Sequence, residues 1–190
     1  MIKLISLYLI AAATTLAASA TITLVDAGNP LVSDGANYVG LYDISVNGIV
    51  TPALCVDVQD DSYVGQQWTA TITQGSPTGS VIELEEMWLF AADKALSPSD
   101  SIDRVNIQNA AWNLGDPAYA ADPAAQQWEQ LAAVNYSSVN SYYYFFASGP
   151  GVQTMLYDAI TTTPEPTLLA LFGLLILAGS MIVRQLKRKG

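Results

Sequence analysis

The single cysteine is the residue whose type points most directly to chemistry. Cys55 lies in the apolar run Leu54-Cys55-Val56, and the chain of 190 residues contains no histidine. A Ser-His-Asp site, a Cys-His site and a histidine-ligated metal are therefore excluded. In an oxidising compartment a lone thiol is open to intermolecular pairing or modification. The alternative is a buried, inert thiol that acts as a small hydrophobe on a strand.

Acidic side chains are the other group that could support catalysis or bind metal. Asp57, Asp60 and Asp61 lie close together but lack the spacing of an EF-hand loop. No local motif singles out two carboxylates for glycoside hydrolysis, so a carboxylate hydrolase stays a minor alternative. We predict no enzyme, no catalytic residue, no metal site and no cofactor.

Cys55 falls within a β-rich part of the sequence. Two runs, 38–46 and 49–58, surround Asn47-Gly48, which is the strongest short signal for a hairpin with a type I′ turn. Pro52 predicts that the second run is an edge strand or ends early. A third strand is predicted from Trp68 to Thr73.

Helical periodicity then replaces the strand pattern. A first helix is predicted from apolar residues at helical spacing, a second over Asp100 to Leu114, and a third from Asp122-Pro123 to about Val134. The apolar residues of the first helix are Val81, Leu84, Met87, Trp88 and Ala91. Strands over 141–147 and 152–157 follow. The order predicts an α+β domain in which a helical subdomain is inserted into a β-sandwich or sheet.

Two short motifs resemble the paired signature of bacterial thioester domains, which are modules of surface adhesins. Leu54-Cys55-Val56-Asp57 matches the strand that carries the family's cysteine, and Ile107-Gln108-Asn109-Ala110-Ala111-Trp112 is similar to its Thr-Gln-x-Ala-Ile-Trp motif. Ile107 replaces the common Thr and Ala111 the common Ile. The resemblance covers about residues 38–114.

This resemblance implies a covalent function. In the family the cysteine thiolate attacks the glutamine carboxamide, ammonia leaves, and the resulting thioester acylates an amine or hydroxyl group of a partner. Here Cys55 and Gln108 would form the cross-link, and Trp112 and Trp88 would shield it from water. The alternative is that Trp112 is a core residue and Gln108 a solvated one.

The N-terminus has the arrangement of a secretory signal peptide. Lys3 is followed by an apolar run over 4–13, and Ala18-Ser19-Ala20 forms a small-x-small cleavage site. We predict a signal peptide over residues 1–20, cleavage after Ala20 and use of a Sec-type export machinery.

The C-terminus combines three parts in a specific order. Pro164, Glu165 and Pro166 precede an uncharged, largely apolar segment over 167–183, which predicts a transmembrane helix. A basic tail follows, and its charges should remain cytoplasmic. Its members are Arg184, Lys187, Arg188 and Lys189. The three parts resemble the PEP-CTERM sorting signal of Gram-negative, exopolysaccharide-producing bacteria. That resemblance implies an exosortase as processing partner, over residues 161–190.

The segment between these signals, residues 21–160, is predicted to be one extracytoplasmic domain. It holds 16 acidic residues but only Lys94 and Arg104 as basic ones, a net charge of −14. Such a charge argues against binding to nucleic acid. We therefore expect a protein held briefly at the inner membrane and then released to the cell surface or biofilm matrix. It would be either an adhesin-like thioester protein or a non-catalytic structural or exopolysaccharide-associated matrix protein.

Overall fold

The computed structural model describes residues 18–27, 32–33, 38–97, 99–119 and 122–158. The strands are β1 (Ala18–Asp26), β2 (Val32–Ser33), β3 (Tyr38–Val39), β4 (Tyr42–Val46), β5 (Ile49–Cys55), β6 (Gln67–Gln74), β7 (Tyr144–Gly149) and β8 (Val152–Asp158). The helices are α1 (Val81–Ala95), α2 (Ser101–Gly115) and α3 (Pro123–Asn135). Two short 3₁₀ turns, Tyr136–Ser138 and Ser141–Tyr143, precede β7.

Six antiparallel strands close into a barrel in the order β1, β4, β5, β8, β7, β6, and β2 pairs with β3 in a separate ladder. The predicted α+β class is confirmed. The predicted sandwich or open sheet is wrong, because β1 pairs with β4 on one side and with β6 on the other. The first three residues of this closing strand, Ala18–Ala20, fall within the predicted signal peptide, so no strand was predicted there.

The strands follow the alternation that a closed barrel requires. Ala20, Ile22 and Leu24 of β1 are buried, as are Tyr42 and Ile44 of β4, and their neighbours along each strand are more exposed. Successive side chains of a strand point to opposite faces, so one set fills the barrel and the other faces outward. The register across β1 and β4 brings Ile44 opposite Leu24.

The hairpin predicted at Asn47-Gly48 is confirmed. Both residues have positive φ, 50° and 89°, as a type I′ turn requires. Pro52 does not end the second strand, because it lies within β5 opposite Asp43 of β4. The pairing of β5 with β8 spans Ala53 to Cys55. Pro52 therefore lies just outside that ladder, where its missing N–H group costs nothing.

Replacing Gly48 with alanine is expected to lower the free energy of unfolding by about 1–2 kcal/mol. A Cβ atom at this position would meet nothing within 4 Å, so the cost comes from the backbone conformation alone. Urea denaturation of the variant and the wild type measures the difference. An unchanged unfolding midpoint would contradict the positive φ at this turn.

The three helices are inserted between β6 and β7, as predicted, and they pack against one another. Ser80 and Glu83 form a reciprocal capping box at the start of α1. The Asp122 carboxylate caps α3, with Pro123 in the first turn. α2 also packs against β5 and against the small ladder of β2 and β3. This contact brings α2 to the end of the strand that carries the cysteine.

The sorting motif and the apolar segment 167–183 lie outside the described residues. Across 18–27, 32–33, 38–97, 99–119 and 122–158, no helix has the length and apolar character needed to cross a membrane.

Candidate functional site

Cys55 is the last residue of β5 and is fully buried. Its neighbours Leu54 and Val56 belong to the hydrophobic core that β5 shares with the helices. Because side chains alternate along a strand, Cys55 is turned away from the side to which Leu54 points. The sequence reading of Cys55 as a buried residue on a strand is confirmed.

The Cys55 thiol lies between two polar groups. Its S–H group donates a hydrogen bond to the main-chain oxygen of Asp57 at 3.0 Å, and the indole Nε1 of Trp112 donates to Sγ at 3.4 Å. Burial raises the pKa of Cys55 to about 12 and outweighs the opposing effect of the Trp112 hydrogen bond. The group is therefore a protonated thiol at neutral pH and has little reactivity towards external reagents.

Gln108 lies at the middle of α2 and is also fully buried. Its Nε2 donates to the main-chain oxygen of Cys55 over only 2.5 Å, which is shorter than an ordinary N–H···O hydrogen bond. With an amide C–N bond of about 1.33 Å, the carboxamide carbon lies within about 3.8 Å of that oxygen. The alternative reading of Gln108 as a solvated residue is wrong, and the carboxamide is crowded against Cys55.

The oxygen of the Gln108 carboxamide has no hydrogen-bond donor among the described residues. Oε1 is buried and accepts no hydrogen bond from the part of the chain that the structure describes. A buried polar atom left unsatisfied costs about 1–3 kcal/mol. An apolar residue would fill the same space without this unsatisfied oxygen. Packing alone therefore does not explain why a glutamine occupies the position.

Trp112 covers the contact between Cys55 and Gln108. It is buried, follows Gln108 by one helical turn, and meets the ring of Tyr119 edge-on with centroids 5.5 Å apart. The Tyr119 hydroxyl donates to Oδ1 of Asn109 at 3.1 Å, which fixes the loop after α2 over the helix. Sequence reasoning found Trp112 but missed Tyr119, because a single aromatic residue in a loop has no periodicity to mark it.

Trp88, the second predicted shielding residue, lies in a different contact. It is half-buried on α1, and its ring centroid is 6.3 Å from that of Trp128 on α3. The structure thus unites Cys55, Gln108 and Trp112, and it places Trp88 in the packing of α1 against α3. The sorting residues Pro164, Glu165 and Pro166 lie outside the described residues.

Glu86 is an ionisable residue near this site that sequence reasoning did not single out. Its side chain is 5% exposed, and burial together with the charges of Glu83 and Glu85 raises its pKa to about 8. The charge of Glu86 acts in turn on Cys55 and raises the pKa of the thiol. Within the described ranges, no group of three or more cysteine, aspartate or glutamate side chains has the arrangement of a metal site.

The cluster brings one cysteine and one glutamine together out of contact with water. Each lies on its own element, each is excluded from water, and an indole ring closes the pair. Comparison with protein-family models, with characterised proteins and with solved structures finds no match to this chain.

Proposed function

We propose that this chain is an exported, adhesin-like surface or matrix protein that captures amine-bearing partners through an internal thioester between Cys55 and Gln108. One observation carries the proposal: the Gln108 carboxamide is pressed against Cys55 in a fully buried site, with its oxygen unsatisfied. The Gln108 side chain thus lies against the main chain of Cys55 in the folded chain, although the two residues are 53 apart in sequence.

Thioester formation would relieve the crowding. The Cys55 sulfur attacks the carboxamide carbon of Gln108, a C–S bond forms, the C–N bond breaks, and the nitrogen leaves as ammonia with the thiol proton. The product lacks the two N–H donors, and its oxygen is a weaker acceptor than an amide oxygen. The cost of burying the carboxamide is thereby reduced.

Covalent capture of an amine forms an amide bond at Gln108 again. A primary amine attacks the thioester carbon, an amide bond to Gln108 forms, the C–S bond breaks, and a proton from the amine passes to the Cys55 sulfur. Exclusion of water by Trp112 and its neighbours protects the electrophile from hydrolysis until the partner arrives. A hydroxyl group would give an ester in the same way.

Intact mass of protein purified without amine buffers tests the proposal. The wild-type chain is expected to weigh less than its sequence mass by one ammonia, and methylamine should convert it to a product one methylene heavier than the sequence mass. Thiol labelling of the native protein is a poor substitute, since a thioester and a buried thiol are both unreactive.

Three variants serve as controls for the mass measurement. Cys55→Ala and Gln108→Ala should each show their full sequence mass, whereas Asn109→Ala should keep the deficit. A wild-type mass equal to the sequence mass would overturn the thioester and favour a noncovalent matrix protein.

Export and sorting form a separate part of the proposal. The mature protein is expected to lack residues 1–20 and the segment after about Pro166, because the terminal signals resemble a signal peptide and an exosortase substrate. Cleavage after Ala20 would shorten β1 to Thr21–Asp26 and remove the pairs that Ala18–Ala20 make with β6. Mass spectrometry of the surface fraction measures both ends, and an intact C-terminal Lys-Arg-Lys-Gly would instead indicate a permanent anchor.

The second candidate is a non-catalytic, exopolysaccharide-associated matrix protein sorted in the same way. Adjacent aromatic side chains at Tyr142 and Tyr143 are exposed, and such rings can stack on sugars. This candidate is favoured if the mass deficit is absent and if substitution of both tyrosines weakens binding to exopolysaccharide.

A further inference from the structure

A cleft of about 430 Å³ begins one residue after the cysteine. Val56 and Asp57 line one side, Gly115 and Asp116 at the end of α2 line another, and Glu86 of α1 contributes a third. The main-chain oxygen of Asp57 is the one that accepts the hydrogen bond from the Cys55 thiol. Cys55 and Gln108 do not line the cleft, and its lining begins at the two residues that follow Cys55 in the chain.

The lining of the cleft is acidic and lacks basic residues. Asp57, Glu83, Glu86 and Asp116 contribute carboxyl groups, and no lysine or arginine is among the residues that line it. Gln59 donates hydrogen bonds to Asp57 and to Asp116, so these two carboxylates are partly satisfied within the protein. The charge that remains favours a cationic ligand.

Glu86 is the member of this group to which no described residue donates a hydrogen bond. Its side chain is 5% exposed, and the capping-box hydrogen bonds at the start of α1 are made by Glu83. A Cβ atom built on Gly115 would lie 3.7 Å from Oε1 of Glu86 and 2.9 Å from the main-chain oxygen of Val56. The carboxyl group thus faces the gap between α1 and the end of α2, where β5 has just ended. A nearly buried carboxyl group at the edge of a cleft, with no donor from the described residues, is stabilised by a bound cation.

We propose that this cleft admits the alkylammonium group of the attacking amine and that Glu86 accepts its proton. The inference rests on the proposed thioester and adds the entry route and the base. An ammonium ion has no free electron pair, so it must lose a proton before it can attack. The Glu86 carboxylate takes that proton, the neutral amine attacks the Gln108 thioester carbon, and the displaced Cys55 sulfur receives a second proton from the amine nitrogen.

The acids around Glu86 come from three parts of the chain. Glu83 and Glu85 of α1 raise its pKa, and Asp57, beyond the end of β5, and Asp116, after α2, line the same cleft. All are acids, so each negative charge among them favours the protonated form of Glu86. Capture of an ammonium ion through Glu86 should therefore increase as pH rises and level off once Glu86 is ionised, near its pKa of about 8.

The test compares Glu86→Gln with wild type in the full chain, using intact mass to follow the reaction with methylamine or hydroxylamine. Hydroxylamine is largely uncharged at neutral pH and needs no base. The variant is expected to keep the mass deficit, to react about 100-fold more slowly with methylamine, and to react with hydroxylamine at nearly the wild-type rate. Its methylamine rate should also keep rising at pH values where the wild-type rate has levelled off.

Glu85→Gln is the matched control, because Glu85 is a neighbouring, nearly buried acid of α1 that does not line the cleft. It should keep the mass deficit and the wild-type methylamine rate above the levelling pH, but its methylamine rate should level off at a somewhat lower pH, because the charge of Glu85 no longer raises the pKa of Glu86. The ratio of the methylamine rate to the hydroxylamine rate within one sample does not depend on the folded fraction. If Glu86→Gln folds poorly, Glu86→Asp is the second variant, and its methylamine rate should still level off with rising pH. Equal ratios and equal pH profiles in wild type and Glu86→Gln would overturn the role of Glu86. A wild-type chain without the mass deficit would instead overturn the thioester, and this inference with it.

Discussion

Replacing Gln108 with methionine is expected to abolish amine capture and to lower the free energy of unfolding by about 4 kcal/mol. Methionine has nearly the same length and shape, so the space in α2 stays filled. The loss comes from the cross-link. A bond between residues 53 apart in sequence restricts the unfolded chain in the same way as a disulfide that closes a loop of that length.

The cross-link makes a specific prediction about additivity. Cys55→Ala should lose a similar amount of stability, and Cys55→Ala combined with Gln108→Met should lose little more than either change alone. Wild-type protein opened with methylamine should unfold at nearly the same urea concentration as Gln108→Met. Asn109→Ala is the control: it loses the hydrogen bond from Tyr119 but keeps the cross-link and full capture. Additive losses for the two site variants would indicate two independent packing defects and no bond between the residues.

Local signals explain which parts of the fold were predictable. The Asn47-Gly48 turn and the Asp122-Pro123 helix start each depend on the chemistry of two adjacent residues, and both were predicted correctly. Closure of the barrel depends on β1 pairing with β6, which begins more than forty residues later in the sequence. No local pattern determines which strands meet across that separation, so the alternation in each strand fitted a sandwich equally well.

The orientation of α1 was harder to predict because its buried face contains acids. The sequence pattern placed Val81 on the core side, yet Val81 is 52% exposed, whereas Glu86 and Asp93 are buried. These two acids are seven residues apart and therefore lie on the same face as Leu89 and Phe90. The helical spacing of Glu86 and Asp93 with Leu89 and Phe90 was the available signal that the two acids are buried. Hydropathy alone assigns acidic residues to the solvent-facing side.

The residues of the candidate site that lie in short sequence motifs were predictable, and those that depend on tertiary packing were not. The resemblance to thioester domains identified Cys55, Gln108 and Trp112, and the structure unites all three. It did not identify Glu86, whose place beside the cleft depends on how α1 packs against β5 and α2. Trp88 was chosen as a shield because it is aromatic, but the helix directs it towards α3.

The packing of α1 against α2 leads to the second large expected effect. Asp93 of α1 is fully buried, and Arg104 of α2 donates from Nη1 to Oδ1 of Asp93 at 2.5 Å and from Nη2 to the Leu96 main-chain oxygen at 3.3 Å. Replacing Arg104 with methionine keeps most of the apolar stem and removes the charge. At neutral pH we expect the free energy of unfolding to fall by about 3–5 kcal/mol, because a buried carboxylate is left without its partner.

The pH dependence of this loss has a definite sign. Burial raises the pKa of Asp93 from 3.8 to about 6, although Arg104 acts to lower it. For a carboxyl group with a raised pKa, the stabilising contribution is complete below the unfolded pKa and is lost as pH rises through the folded one. Removing Arg104 raises the pKa of Asp93 further, so the charge-dependent part of the loss should appear only above about pH 6 and grow by about 1.4 kcal/mol per pH unit until the variant's own pKa is reached. The part that comes from the two lost hydrogen bonds should remain below about pH 4.

The ion pair between Lys94 and Asp158 provides the matched comparison. It also joins an α1 residue to another element, but both side chains are about one-third exposed. Lys94→Met should therefore cost no more than about 1 kcal/mol at any pH between 4 and 8. Adding Asp93→Asn to Arg104→Met should recover much of the loss at neutral pH, because a neutral amide replaces the unpaired carboxylate. Urea unfolding at several pH values measures the free energy of unfolding of all four proteins. A loss for Arg104→Met that does not change with pH would mean that packing, and not the buried charge, stabilises the contact between α1 and α2.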